Sequence, residues 1–188
     1  PTNEFEGTSE ITLGDYGTQN LGIAFGGPMK NKKLKYRLVL RTDYADGFRK
    51  NIFLNKSDTS KKDELTLRYK LNWDFNETTD INFIISKVDM DDPADIWTID
   101  GSLNTLSDRP GMDSQETNSY GIKITKNFIN FDLQSFTSST KTDVIFSYDA
   151  DWGNPDSHSP YIYDYFSETL RKRDTFSQEI RILSKNTR

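Results

Sequence analysis

The segment Asp63–Phe75, DELTLRYKLNWDF, limits what this chain can fold into more than any other. Leu65, Leu67, Tyr69, Leu71, Trp73 and Phe75 alternate one for one with Glu64, Thr66, Arg68, Lys70, Asn72 and Asp74. Side chains alternate across a strand, whereas a helix turns each residue by about 100° and would scatter these charges over every face. The segment is therefore a strand with one apolar or aromatic face and one polar face. Its length reaches the roughly 9–11 residues with which a strand crosses a bilayer, so the expectation is a barrel wall in lipid.

The same pattern recurs along the chain. Phe5–Leu13 alternates up to the turn Gly14–Gly17, and Leu21, Ile23 and Phe25 alternate until Gly26-Gly27-Pro28. Lys33–Tyr44 sets Leu34, Tyr36, Leu38 and Leu40 against Lys33, Lys35, Arg37, Arg41 and Asp43. A weaker strand follows at Ile81, Phe83 and Ile85. Tyr120–Thr125, a run through Ile129, Phe131 and Leu133, and Phe176–Leu183 complete about eight strands. The stretches Ala45–Lys62, Met90–Glu116 and Thr140–Arg173 read as long loops, the second carrying seven acidic residues against Arg109. Short connections (GGPMKNK, NETTD, KN) alternate with these long ones, and only the turn at Gly14–Gly17 breaks the order. The fold class that follows is an all-β, antiparallel up-and-down meander forming part of a larger transmembrane β-barrel. Short turns at one end and long loops at the other suit an outer-membrane barrel.

Composition narrows the alternatives. Mean hydropathy is −0.76, and no run approaches the roughly 18 apolar residues of a spanning helix, yet a barrel turns only every second residue to lipid. Aromatics make up 13%, which suits interfacial girdles. A net charge of −5 excludes nucleic acid as an expected partner, and the absence of cysteine excludes disulfide scaffolds and thiolate metal sites. The chain opens at Pro1 with no charged-then-apolar segment, so a signal is expected to have been removed or the start to lie further upstream.

The opening PTNEFEG, the GGP ending of the second strand, DYADGFRKN, DTSKKDELTLRYKLNW, DADWGN and the closing DTFSQEIRIL together resemble the first part of the barrel of TonB-dependent outer-membrane receptors. The resemblance covers essentially residues 1–188, as a partial barrel domain. It implies transporters with a 22-stranded barrel and an N-terminal plug, in the outer membrane of a Gram-negative bacterium, energised through TonB. The implied ligand is a ferric siderophore, haem or another scarce nutrient. The chain carries no TonB-contacting segment, no plug and fewer strands, so contact with TonB and the plug is expected through parts outside it. Outer-membrane lipid and lipopolysaccharide are the expected surroundings, and neither a cofactor nor enzymatic activity is expected.

Candidate sites lie in the loops. Tyr161, Tyr163 and Tyr165 share a period of two and would form one aromatic stripe, able to stack on a ligand with Trp152 and Trp97; girdle anchoring or loop packing is an equal alternative. Phe48 and Arg49 are further ligand-facing candidates. No catalytic group stands out, because His158, the one histidine, sits between serines with no signature around it. Asp149, Asp151 and Asn154 faintly follow a calcium loop, but the glycine is displaced and Pro160 stands where a bidentate Glu is needed, so no metal is assigned. Asp89, Asp91, Asp92 and Asp95 could bridge lipopolysaccharide through a divalent ion, although an acidic run is more often a solvated surface. Lys35, Arg37, Arg41, Glu64, Arg68 and Lys70 are read as a satisfied polar lumen rather than a pathway. Two further readings stay open: a complete eight-stranded outer-membrane barrel of adhesin or structural type, and a soluble lipocalin-like binder with its apolar face inward. Complete barrels usually finish on an aromatic residue, and this chain finishes on Arg188.

Overall fold

The computed structural model describes residues 1–30 and 32–185; Arg188 and the chain end, used above to separate two readings, lie outside the described residues. Ten strands form in order: β1 Glu6–Leu13, β2 Gln19–Pro28, β3 Leu34–Ala45, β4 Lys50–Asn51, β5 Lys62–Asn76, β6 Thr79–Pro93, β7 Asn104–Thr105, β8 Met112–Asn127, β9 Phe131–Asp149 and β10 Phe166–Ser184. Eight of them build one antiparallel sheet in the order β1-β2-β3-β5-β6-β8-β9-β10, and the two-residue strands β4 and β7 pair in parallel among the loops. Each long strand pairs with its neighbours in the meander. β1 and β10 do not pair with each other, so the sheet is open rather than a closed eight-stranded barrel.

The registers sort the side chains into two faces. One row on the charged face runs Glu6, Gly26, Arg37, Lys70, Ile84, Gly121, Ser138, Ser177. The adjoining row on the other face runs Gly7, Phe25, Leu38, Tyr69, Ile85, Tyr120, Ser139, Phe176 and is mostly apolar. Toward the loop end this apolar face changes character. Ser9, Ile23, Leu40 and Leu67 share a row with Lys87, Asn118, Lys141 and Asp174; Ile11, Leu21, Thr42 and Leu65 share the next with Asp89, Glu116, Asp143 and Lys172. The border between apolar and charged residues therefore crosses the sheet obliquely. Met112, Ile145, Phe166 and Leu170, beyond the charged rows, are exceptions.

The sheet has no apolar core of its own. Among the described residues Ala94 is the one buried apolar residue, while Ile11, Leu13, Phe176, Ile180 and Ile182 are all about 70% exposed, between 67% and 77%. A lipocalin-like binder needs apolar residues enclosed in a barrel, which this sheet does not provide.

Three expectations change. The strands reach much further toward the loops than alternation indicated, so Met90–Pro93, Met112–Glu116, Thr140–Asp149 and Phe166–Arg173 are paired strand, and the loops shrink to 46–61, 94–111 and 150–165. These extensions are mostly polar, and their apolar residues, such as Val144, Ile145 and Phe146 in succession, fall on both faces, so they carry no one-sided hydrophobic period. Ile129, counted into a strand, sits instead in the β8–β9 turn and is 88% exposed. The charges of the polar face are only partly paired: Lys35 meets Asp74 at 3.6 Å, Arg41 meets Asp43 and Lys62 meets Glu64 at 2.9 Å, whereas Arg37, Arg68 and Lys70 enter no ion pair among the described residues. Among the described residues no helix is long and apolar enough to cross a membrane.

Candidate functional site

The three long loops leave the same end of the meander and are tied together by buried polar side chains. Asn51, 1% exposed, donates from Nδ2 to Asp95 Oδ2 at 2.9 Å and to the Ser107 carbonyl at 2.8 Å, while its Oδ1 accepts the Leu54 amide at 2.8 Å. Thr105 Oγ1 donates to the same Asp95 oxygen at 2.7 Å, and the Asp95 amide donates to the Thr59 carbonyl. Asn154 Nδ2 donates to the Leu106 carbonyl, and the Asp108 amide to that of Gly153. Asp95 is thus the node between the first two connections, and the third is fastened to the second through Asn154 and the Asp108 amide. A buried polar group must find partners, and here loop backbone and short amide and hydroxyl side chains supply them.

Gly111 permits this packing. A Cβ there would lie 1.9 Å from the Ser147 carbonyl oxygen, so only glycine lets the β7–β8 loop run so close against β9.

The expected ligand-facing residues form three groups. Trp97 and Trp152 line one narrow hollow with Asp95, Ser107 and Asp149, and Trp97 packs on Tyr148 at 5.2 Å between ring centroids. Tyr163 lies 6.0 Å from Tyr165 and edge-on to His158 at 5.2 Å; Tyr161, 68% exposed, caps the turn through its amide to the His158 carbonyl. The third group is Phe48, with Arg49 over its ring at 5.1 Å and Tyr16 at 6.1 Å. Arg49 also donates to the Ser102 carbonyl at 2.7 Å, which fastens the first loop to the second. Residues 161–165 lie in no strand, so the tyrosines are presented by a loop that is braced where the Tyr165 amide donates to Asp151 Oδ2 at 2.7 Å. Tyr16 and Tyr148 were not foreseen as neighbours of these groups.

The carboxylates divide by environment. Asp151 is used up by backbone amides, those of Gly153 and Tyr165, and His158 Nε2 lies 3.1 Å from the Asp151 carbonyl as a structural brace. Burial pushes the Asp149 carboxyl above its ordinary value; the nearby Ser107 hydroxyl opposes this and the like charge of Asp151 adds to it. Ser107 is close enough to ease that charge, yet Ser107 Oγ and Asp149 Oδ2 are both buried with no hydrogen bond of acceptable geometry. Asp89 pairs with Lys87 at 3.1 Å, Asp92 Oδ1 accepts the Asp63 amide, and Asp95 lies in the loop core, so the acidic run is dispersed over different surroundings.

A larger hollow of about 550 Å³ lies on the charged face, lined by Lys70, Asn72, Asn82, Lys123, Phe136 and Glu179 among others. Phe136 is held between Lys123, 4.9 Å above its ring, and the guanidinium of Arg181 at 5.0 Å, which itself pairs with Glu179.

No family model and no curated protein matches the chain. Among solved structures it is similar to one chain of the FpvAI–pyocin S2 complex, with a TM-score of 0.67 at 16% identity. The likeness covers 97% of this chain but 24% of that one, so it shows the fold, and the chain spans about a quarter of its neighbour's length.

Proposed function

We propose that these residues are part of the wall and external loops of a TonB-dependent outer-membrane transporter that takes up an iron complex, such as a ferric siderophore or haem. One observation carries the reading: the oblique apolar border. Leaving aside Met112, Ile145, Phe166 and Leu170, which stand beyond the charged rows, the continuous outward apolar band ends at Leu13 on β1 and at Phe176 on β10, three rows or six residues lower across seven strand-to-strand steps. At about 3.3 Å per residue and about 4.8 Å per step this is a slope of roughly 30°. Strands of a membrane barrel tilt by roughly 35–45°, so a level sheet of lipid would cut the rows at about such an angle. A soluble sheet has no reason to slant its apolar band.

In this reading the apolar face meets lipid, with lipopolysaccharide beside the charged rows, and the charged face lines a wide wet lumen. TonB and a plug would act through parts of the protein outside these residues. The role is one of binding and passage rather than catalysis. The three loops would stand outside the cell, and their exposed aromatics, Trp152, Tyr161, Tyr163 and Tyr165, would meet the ligand first. Membrane fractionation and ferric-complex binding by the complete protein test this. Replacing the three tyrosines with Ala should weaken binding at least tenfold while leaving outer-membrane abundance unchanged. Absence from the outer membrane would refute the wall assignment, and undiminished binding would refute the tyrosines' role.

A further inference from the structure

Asp95, Ser107 and Asp149 are 4%, 2% and 6% exposed and face one narrow hollow between the 94–111 loop and the end of β9. Two oxygens there lack partners, Asp149 Oδ2 and Ser107 Oγ. Water does not supply the missing contacts, because the hollow has no room for a water molecule. Nor does a cation from the chain: none of the ion pairs among the described residues includes Asp95 or Asp149. The charges acting on Asp149, those of Asp108 and Asp151, have its own sign. A buried carboxylate with no positive partner is costly, and burial of this kind is normally met by pairing or by a metal.

We propose that this hollow holds a calcium ion, ligated by Asp149 Oδ2, the Asp95 carboxylate and Ser107 Oγ. Size favours it. Oxygen approaches Ca²⁺ to about 2.3–2.6 Å, closer than the roughly 2.7–3.0 Å of a hydrogen-bonded water, so the ion fits where water does not. Mg²⁺ keeps several of its waters, for which there is no space, and Zn²⁺ prefers nitrogen and sulfur donors, which are absent from this set. Among the described residues no three acidic, histidine or cysteine side chains converge on one point. The donor set is therefore mixed, two carboxylates and a hydroxyl, and loop backbone carbonyls would have to complete the ion's shell. The ion would fasten the second loop to β9 and so fix Trp97 and Trp152 on the rim. The site does not depend on the transporter reading, since it rests on the loop cluster alone.

Tb³⁺ substitutes for Ca²⁺ and emits when a nearby tryptophan is excited, and Trp97 and Trp152 border the hollow. The complete protein in detergent should sensitise terbium emission that added Ca²⁺ displaces. Asp149→Asn and Ser107→Ala should each weaken terbium binding at least tenfold, whereas Asp91→Asn, away from the hollow, should not change it. Protease cleavage within residues 94–111 should be slower in Ca²⁺ than in chelator for the unaltered protein, which checks the site without a variant. Missing emission, emission undiminished in Asp149→Asn, or cleavage indifferent to Ca²⁺ would each overturn the proposal. What would remain is a protonated Asp149 carboxyl sharing its hydrogen with Ser107. Binding of the iron complex, measured separately, reports on the transporter reading and not on the ion.

Discussion

Asn51 sits almost wholly out of solvent and satisfies three backbone and side-chain groups from three parts of the chain. Asn51→Ala would strand the Ser107 carbonyl and the Leu54 amide and take one donor from Asp95. At about 1–3 kcal/mol for each buried group left unpaired, the loop cluster should loosen by roughly 2–4 kcal/mol, read as faster proteolysis within 46–61 and 94–111 while the sheet stays folded. Asp92 offers a test by pH. Burial raises its carboxyl above the ordinary 3.8, with the Asp63 amide opposing and Glu64 reinforcing the rise. Between the free value and the raised one the folded state holds the extra proton, so this carboxyl's contribution is fully present below the free value and is lost as pH rises through the folded value. Asp92→Asn keeps the oxygen that accepts the Asp63 amide. In denaturation series from pH 3 to 7 its stability relative to the unaltered protein should therefore increase with pH, and an unchanging gap would refute the assignment. Such residues were not legible in the sequence. Asn51 stands in DGFRKNIFLNKSD, where nothing periodic marks it as buried, and the grouping of Trp97 with Trp152 depends on loop paths that alternation does not encode.

At the scale of the strand, alternation located all eight members of the main sheet but not their length. It was clear where one face is apolar, as in β3 and β5, and failed over Met112–Ser119 and Phe166–Thr175, where polar residues fill both faces but for Met112, Phe166 and Leu170. β4 and β7, two residues each, are held by loop packing and leave no pattern. The oblique border makes a prediction about two residues facing each other in one row, Leu67 and Lys87. Leu67→Arg would place a charge in the apolar band, at about 2–4 kcal/mol near a bilayer midplane and less toward its edge. Lys87→Leu changes a residue already past the border and should stay within about 0.5 kcal/mol, as surface changes usually do. The folded fraction of the complete barrel in lipid, read from heat-modifiable gel migration, should fall for the first and hold for the second. Equal losses would place the border elsewhere.

For the molecule as a whole, the open order of strands means that β1 and β10 each keep one unpaired edge. In hydrocarbon each unsatisfied backbone group costs several kcal/mol, so residues 1–188 alone should not insert as a stable unit. In the complete protein, cysteines at Ser9 and Asp174, which lie on the same face of the two end strands, should not join, while a pair at Thr137 and Gln178, cross-strand partners on β9 and β10, should. A bond between the first pair would mean that the sheet closes on itself. The meander and its openness were legible from the order of short and long connections and from the many long charged side chains on one face. The height of the wall was not, and it varies. In the row that joins Thr12 to Arg171, β1 continues by one residue to Leu13 and β10 by five to Phe166. One flank of the mouth therefore ends in a five-residue hairpin and the other in a raised palisade carrying the tyrosines. On the proposed outer-membrane placement, small solutes would enter over either flank, but a bulky particle such as an antibody would strike the palisade first, so the β9–β10 side should dominate recognition of the intact cell by large binders.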